Sequence, residues 1–210
     1  QLGPSLENIA WHKAGIFKQG AQAYSSPQVP EAAEVLRKRA SEKGVTLQFT
    51  DHDPALPDNV PQLEPGVQRI NGSLALAAAR SFLEQKASDN MNSCDIEHGV
   101  SQFSWPGRFQ LVVRDNFQWF LDSAHNEMSV DKAAEWFIQT SAQQSIPTPV
   151  VRLLIFSQIT NERDDVAVFK QLATSLQGSE IRYVIFTTYN QGDGSERTIS
   201  QWLCAFLAWI

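Results

Sequence analysis

The tightest constraint in the sequence lies between Ser104 and Glu135, where a turn, two β-prone runs, a polar loop and a helix start follow one another. Trp105-Pro106-Gly107 is turn chemistry, because proline fixes φ and glycine permits positive values. Phe109 to Val113 is mostly apolar and β-prone, and Phe117 to Leu121 is a second such run. Asp115-Asn116 between them is a hairpin signal, weaker than Asn-Gly or Asp-Gly. Asp122-Ser123-Ala124-His125-Asn126 then ends the second strand with polar groups. Ser129 is read as the N-cap of a helix whose body holds Ala133, Ala134, Trp136 and Phe137. In an open α/β sheet, ligands bind where the carboxyl end of a strand leads into a helix. Asp122 and His125 fall at such a point, and Arg108 and Asp122 bracket the hairpin.

The chain around this stretch reads as alternating helices and strands. Ser5 caps a helix over Leu6 to Lys13, which Ala14-Gly15 ends. Ala21 to Ser25 is a short strand. Pro30 opens a helix that runs to Lys43 and closes at Gly44, and Val45 to Phe49 is the next strand, giving a βαβ-like unit. Asp51 to Gly66 holds Pro54, Pro57, Pro61 and Pro65 and reads as a loop. Gln68 to Gln85 is a strong helix with an alanine- and leucine-rich centre. Ala87 to Ser104 is polar and reads as structureless, so the domain boundary is placed there. Beyond the hairpin helix, Pro147 and Pro149 mark a turn. Val150 to Phe156 is a continuous apolar run expected to be a parallel strand buried on both faces. Asp165 to Leu176 is a helix, Gly178 ends it, and Arg182 to Thr187 is another buried strand. The β-α-β-α-β order from Phe117 onward is that of a Rossmann-like half.

A net charge of −6 argues against binding nucleic acid or a membrane surface through bulk charge. Cys94 and Cys204 are far apart and form no CxxC pair, so neither a disulfide framework nor a cysteine-rich zinc site is expected. The opening residues read as the middle of a protein, so a natural N-terminus is expected upstream. The apolar end, Thr198 to Ile210, is too short to span a bilayer.

Three motifs carry chemistry, each with a plainer reading. Ile9-Ala10-Trp11-His12-Lys13-Ala14-Gly15 places Lys13 at a helix C-terminus, where the dipole favours a cation. Alternatively, Lys13 is carbamylated by CO2, which turns the ammonium into an anion whose oxygens suit Mg2+. In Gln68-Arg69-Ile70-Asn71, the Asn71 amide has the donor and acceptor that match an adenine edge, or it is an ordinary residue of the helix start. At the hairpin, Arg108 offers a planar fork to a phosphate, Asp122 an acceptor to a ribose hydroxyl, and His125 a partner for a phosphate or carboxylate. The competing reading is an Arg108–Asp122 salt bridge with a solvated His125. His12, His52 and His98 read as surface groups, and no G-x-x-x-x-G-K-[ST] loop occurs.

Taken together and in order, Leu2-Gly3, Ile9 to Lys18, Gln68 to Asn71, Trp105-Pro106-Gly107-Arg108 and Leu121 to Asn126 resemble the folylpolyglutamate synthase family of the Mur ligase superfamily. The tryptophan before His12-Lys13 and the Trp-Pro-Gly-Arg turn resemble its eukaryotic type. The resemblance implies an α/β fold: residues 1–95 as the end of a P-loop-type Mur ligase central (ATPase) domain, and 96–210 as a Rossmann-like C-terminal domain, truncated or aberrant after about residue 190. It implies an ATP-dependent ligase that adds L-glutamate in γ-amide linkage to tetrahydrofolate and its polyglutamates through an acyl phosphate. ATP and Mg2+ are then the cofactors, with room for a monovalent cation such as K+.

On the same resemblance, Lys13 and His125 are catalytic, and Arg108, Asp122 and Asn71 bind ATP. Lys13, if carbamylated, is the metal ligand. A monomer in cytoplasm or mitochondrion is implied, with no nucleic-acid partner and no membrane span. The family's phosphate loop, folate-binding part and further metal ligands are expected before Gln1, so this chain alone is expected not to turn over ATP. Ser123 stands where the family often has glycine, Asn161 to Asp164 match a family loop only loosely, and nothing matches beyond Asn190. The neighbouring alternatives are another Mur-type ligase or a dihydrofolate synthase, and, in a different class, a non-catalytic nucleotide-binding fragment.

Overall fold

The structure is a computed structural model that describes residues 3, 5–86, 91–144, 149–157 and 165–187. Leu2, Pro147, residues 161–164 and the apolar 198–210 segment lie outside the described residues. The chain divides into two compact units, 1–104 and 105–210.

In the first unit, α1 (Leu6–Lys13) starts at Ser5, whose Oγ accepts from the Asn8 N–H at 3.3 Å. Glu7 in its first turn has its carboxyl held below the ordinary value by its own backbone N–H and by Ser5. A 3-10 turn, Ala14–Ile16, follows α1 directly. Next come β1 (Gln22–Ser25), α2 (Pro30–Lys43) and β2 (Thr46–Phe49), with β1 and β2 parallel and Ala23 opposite Leu47. The expected βαβ unit is therefore present. Pro30 occupies the first turn of α2, and Gly44 closes it at φ +62, a conformation that costs a glycine little. Ala10, Ala14 and Phe17 bury against Ala32, Leu36, Ala40 and Val45, so the small-residue faces of α1 and α2 form this core.

The proline-rich loop after β2 is fastened to α3 (Gly66–Lys86) by polar groups rather than left loose. Ser73 Oγ accepts from Asp53 N–H at 2.9 Å, Arg80 pairs with Asp53, and Arg69 donates to the Leu56 and Pro57 carbonyls at 3.3 and 2.7 Å.

The stretch 87–104 was expected to be structureless, yet it contains α4 (Ser93–Ser101). Two local causes explain the difference. Asn92 and Asp95 form a reciprocal capping box, Asn92 Oδ1 accepting from Asp95 N–H at 3.1 Å and Asp95 Oδ2 from Asn92 N–H at 3.0 Å. Ile96 then buries against Leu56, Leu63 and Leu76. Asn92→Ala is expected to lower the stability of this unit by about 1 kcal/mol, read as a lower urea midpoint with an unchanged slope.

In the second unit, β3 (Gln110–Arg114) and β4 (Phe117–Leu121) form the expected antiparallel hairpin. Arg114 pairs with Phe117, so Asp115-Asn116 is a two-residue loop, with Asp115 at φ +51. Then α5 (Glu127–Gln143), β5 (Arg152–Phe156), α6 (Asp165–Ser175) and β6 (Ile181–Phe186) follow in the order the sequence implies, with β5 and β6 parallel. Val130 and Ala134 of α5 and Val168, Phe169, Leu172 and Ala173 of α6 bury against Phe156.

The expectation that β5 and β6 are buried on both faces is not met. Leu154, Phe156, Val184 and Phe186 face the helices, whereas Leu153, Ile155, Tyr183 and Ile185 are 45–53% exposed. Among the described residues, helices pack on one face of this ribbon only, so an apolar run takes on the alternating burial of a half-covered sheet.

Candidate functional site

The hairpin is shaped at its open end by three successive backbone N–H groups, each with a fixed acceptor. Pro106 and a left-handed Gly107 (φ +73) form a tight turn that the Arg108 N–H closes onto the Trp105 carbonyl at 3.1 Å. The Gly107 N–H donates to Gln110 Oε1 at 2.9 Å. The Phe109 N–H donates to Asp122 Oδ2 at 2.8 Å. Phe109 itself has φ +45, rare for an aromatic residue, and its ring meets Trp136 edge-on at 5.8 Å between centroids. Trp136 is buried and also packs on Phe120.

Asp122 does not pair with Arg108. Its two oxygens are engaged by the backbone, Oδ2 by Phe109 and Oδ1 by the Ala124 N–H at 2.7 Å. The salt-bridge reading of the hairpin therefore falls. Arg108 is half-buried, and its guanidinium has no hydrogen-bond or ion-pair partner among the described residues. A guanidinium held on a rigid turn with its five donors unspent is well suited to a phosphate. Each Asp122 oxygen keeps a second lone pair for a hydroxyl donor.

The polar loop ends in a helix N-terminus, but Ser129 is not its N-cap. Asn126 is, with Oδ1 accepting from Ser129 N–H at 2.9 Å. Ser129 is the third helical residue, and its Oγ accepts from the N–H groups of His125 and Asn126 at 3.0 and 3.1 Å. The correction moves the helix start three residues earlier and makes Ser129 the brace of the His125 loop. The His125 ring is exposed, with Nδ1 at 3.0 Å from the Ser123 carbonyl. Ser123 does not have positive φ, so the extra Cβ where the family often has glycine is accommodated.

In the first unit, Lys13 is the last residue of α1, is exposed, and has no partner among the described residues. Beside it, the Trp11 ring meets His12 edge-on at 5.0 Å and carries the Arg39 guanidinium at 4.8 Å. Asn71, in the first third of α3, is exposed and donates to Gln68 Oε1 at 2.9 Å, leaving its own amide oxygen without a protein partner among the described residues. His12, His52 and His98 are exposed, as read from the sequence. No group of three or more His, Cys, Asp or Glu side chains suited to a metal occurs among the described residues, and no helix there is long and apolar enough to cross a membrane.

Sequence reasoning missed the roles of Phe109 and Gln110 and took Ser129 for the N-cap rather than the brace of the His125 loop. Ser129 had a signal, since Asn126 and Ser129 have the spacing of a capping box. Nothing in the sequence marks Phe109 as left-handed.

No protein-family model matches the chain. A folylpolyglutamate synthase of Neurospora crassa is 37% identical over 164 residues, which cover 75% of this chain and 30% of that protein. The mitochondrial folylpolyglutamate synthase of Bos taurus is 32% identical over 212 residues, covering 88% of this chain and 35% of its own. The chain belongs to the folylpolyglutamate synthase family. It spans about a third of the length of these curated relatives. Among solved structures, Mycobacterium tuberculosis folylpolyglutamate synthase complexed with ADP matches with a TM-score of 0.70 at 18% identity, covering all of this chain and 48% of that one. A folylpolyglutamate synthase complex with AMPPCP and folate matches with a TM-score of 0.63 at 17% identity, covering 99% of this chain and 57% of the other. At such identities the likeness is one of fold, and it places this α/β chain among folylpolyglutamate synthase structures.

Proposed function

We propose that this chain forms part of an ATP-dependent ligase that joins L-glutamate, in γ-amide linkage, to tetrahydrofolate and its polyglutamates. Its first unit is the C-terminal part of the ATPase domain and its second the Rossmann-like C-terminal domain. In the reaction, a γ-carboxylate oxygen of the folate attacks the terminal phosphorus of ATP, giving an acyl phosphate and ADP. The amine of the incoming glutamate then attacks the acyl carbon, loses a proton and expels phosphate.

Arg108 binds a phosphate of the nucleotide, and Asp122 accepts from a ribose hydroxyl with the lone pairs its backbone bonds leave unused. Asn71 reads the adenine edge. His125 meets the phosphate or the amino acid. Lys13 acts as a carbamate, an anion formed on an exposed amine that has no partner among the described residues. No cluster of His, Cys, Asp or Glu among the described residues makes a cage for a divalent ion, so of these residues only the Lys13 carbamate would offer Mg2+ an oxygen ligand. The ion would arrive with the nucleotide, held largely by phosphate oxygens. A monovalent cation such as K+ is compatible with the same chemistry. The relatives' names and the nucleotides and folate in the solved complexes support this reading, as does the mitochondrial label on several of them for a mitochondrial or cytoplasmic setting.

The observation that carries the proposal is the Arg108 guanidinium, without a polar partner among the described residues, on a turn locked to Asp122. The experiment is a glutamate-dependent ATPase assay with tetrahydrofolate on the complete enzyme containing this chain. Arg108→Ala is expected to raise KM for ATP about tenfold while leaving KM for glutamate within about twofold. An unchanged ATP dependence would remove Arg108 from the nucleotide site.

A further inference from the structure

We propose that Phe109 is a positioning residue for Arg108, with Asp122 and Trp136 as the two anchors that hold it in place. This rests on the nucleotide-binding reading of Arg108. The guanidinium makes no hydrogen bond or ion pair among the described residues, so no polar partner there fixes where it points. Its location is set by the backbone on either side. On the N-terminal side, Gly107 adopts φ +73, which glycine accepts readily. On the C-terminal side, Phe109 adopts φ +45, which an aromatic residue resists. An unfavourable conformation persists only where its surroundings over-determine it, and such positions gather at ligand clamps.

Two independent restraints meet at Phe109. Its N–H is bonded to the Asp122 carboxylate at 2.8 Å, and its ring lies edge-on to buried Trp136 at 5.8 Å. Trp136 is itself fixed by Phe120 of the hairpin at 5.5 Å, so the anchor and the hairpin form one packed cluster. If φ of Phe109 relaxed to an extended value, the chain before it would rotate, and Arg108 with it. The aromatic contact therefore acts on the ligand through Arg108, without touching it.

The test uses the complete enzyme. Phe109→Ala removes the ring anchor and keeps the Cβ. The expected result is a rise in KM for ATP of about tenfold, with kcat and KM for glutamate within about twofold. Phe109→Tyr keeps the ring on Trp136 and is expected to restore KM. Because Phe109 acts through Arg108, the double variant Arg108→Ala/Phe109→Ala should have a KM for ATP no higher than Arg108→Ala alone. Should Phe109→Ala not fold, Phe109→Gly accommodates the positive φ and carries the same expectations. A lowered thermal midpoint with unchanged KM for ATP would mean that Phe109 only closes the hairpin. Additive effects in the double variant would equally overturn the proposal. An Arg108→Ala enzyme with unaltered ATP dependence would overturn the nucleotide reading first, and this inference with it.

Discussion

Lys13→Ala is expected to lower glutamate-dependent ATP turnover by about a hundredfold or more, the scale on which loss of a positioned charge slows a reaction. It should do so with little change in thermal stability. The side chain is exposed at the end of α1 and touches no partner among the described residues. Removing it therefore leaves no cavity and no orphaned group, and a helix-end cation on the surface contributes only a few tenths of a kcal/mol, roughly 0.3–1. A large fall in activity beside a flat stability would separate the chemical role from the dipole role. Partial recovery with acetate or formate would show that the missing group is a carboxylate-like anion rather than an ammonium. Full activity in Lys13→Ala would leave the residue as a helix-end cation and nothing more.

Asp122→Ala should be costly in two measurements at once. The variant leaves the Phe109 and Ala124 N–H groups without their acceptor, and an unsatisfied, partly buried donor costs about 1–3 kcal/mol. A loss of about 2 kcal/mol or more in urea unfolding is the expected result. On the proposed nucleotide role, binding should suffer further, because the proposed ribose acceptor disappears and the turn holding Arg108 loosens. KM for ATP is expected to rise about a hundredfold, above the value for Arg108→Ala alone. Asp122→Asn is the informative companion, since one amide oxygen can serve only one of the two N–H groups well. It should fall between wild type and Asp122→Ala in stability. If Asp122→Ala kept full stability, the carboxylate would not be the clasp its geometry describes.

The elements were legible in the sequence wherever one local rule decided them. Pro30 and Gly44 bounded α2, and Ser5 placed the start of α1. Asp115-Asn116 between two β-prone runs marked the hairpin, and the pairing of Arg114 with Phe117 sets its register. Reading failed where two weak signals had to be combined. The 87–104 stretch looked merely polar, yet one capping box and one buried isoleucine suffice for α4. Ser129 was a sound N-cap by type, but Asn126 stood three residues earlier and could use it as a capping-box partner.

Arg108, Asp122 and His125 stood out as candidates by type and place. What could not be read was how Asp122 spends its oxygens. That depends on a left-handed Phe109 stabilised by Trp136, many residues later in the chain. Likewise, the burial of β5 and β6 depends on which faces the helices cover, which apolarity alone does not encode.

The clasp at Asp122 has a consequence for descent. Its carboxylate serves the fold through two backbone bonds, whereas the Arg108 guanidinium is engaged by no protein group among the described residues. Selection for a foldable domain therefore retains the aspartate even in a lineage that has given up catalysis, while the arginine is free to drift. In a paralogue with this hairpin, a persisting aspartate testifies to folding, and the arginine is the better witness to the proposed nucleotide site.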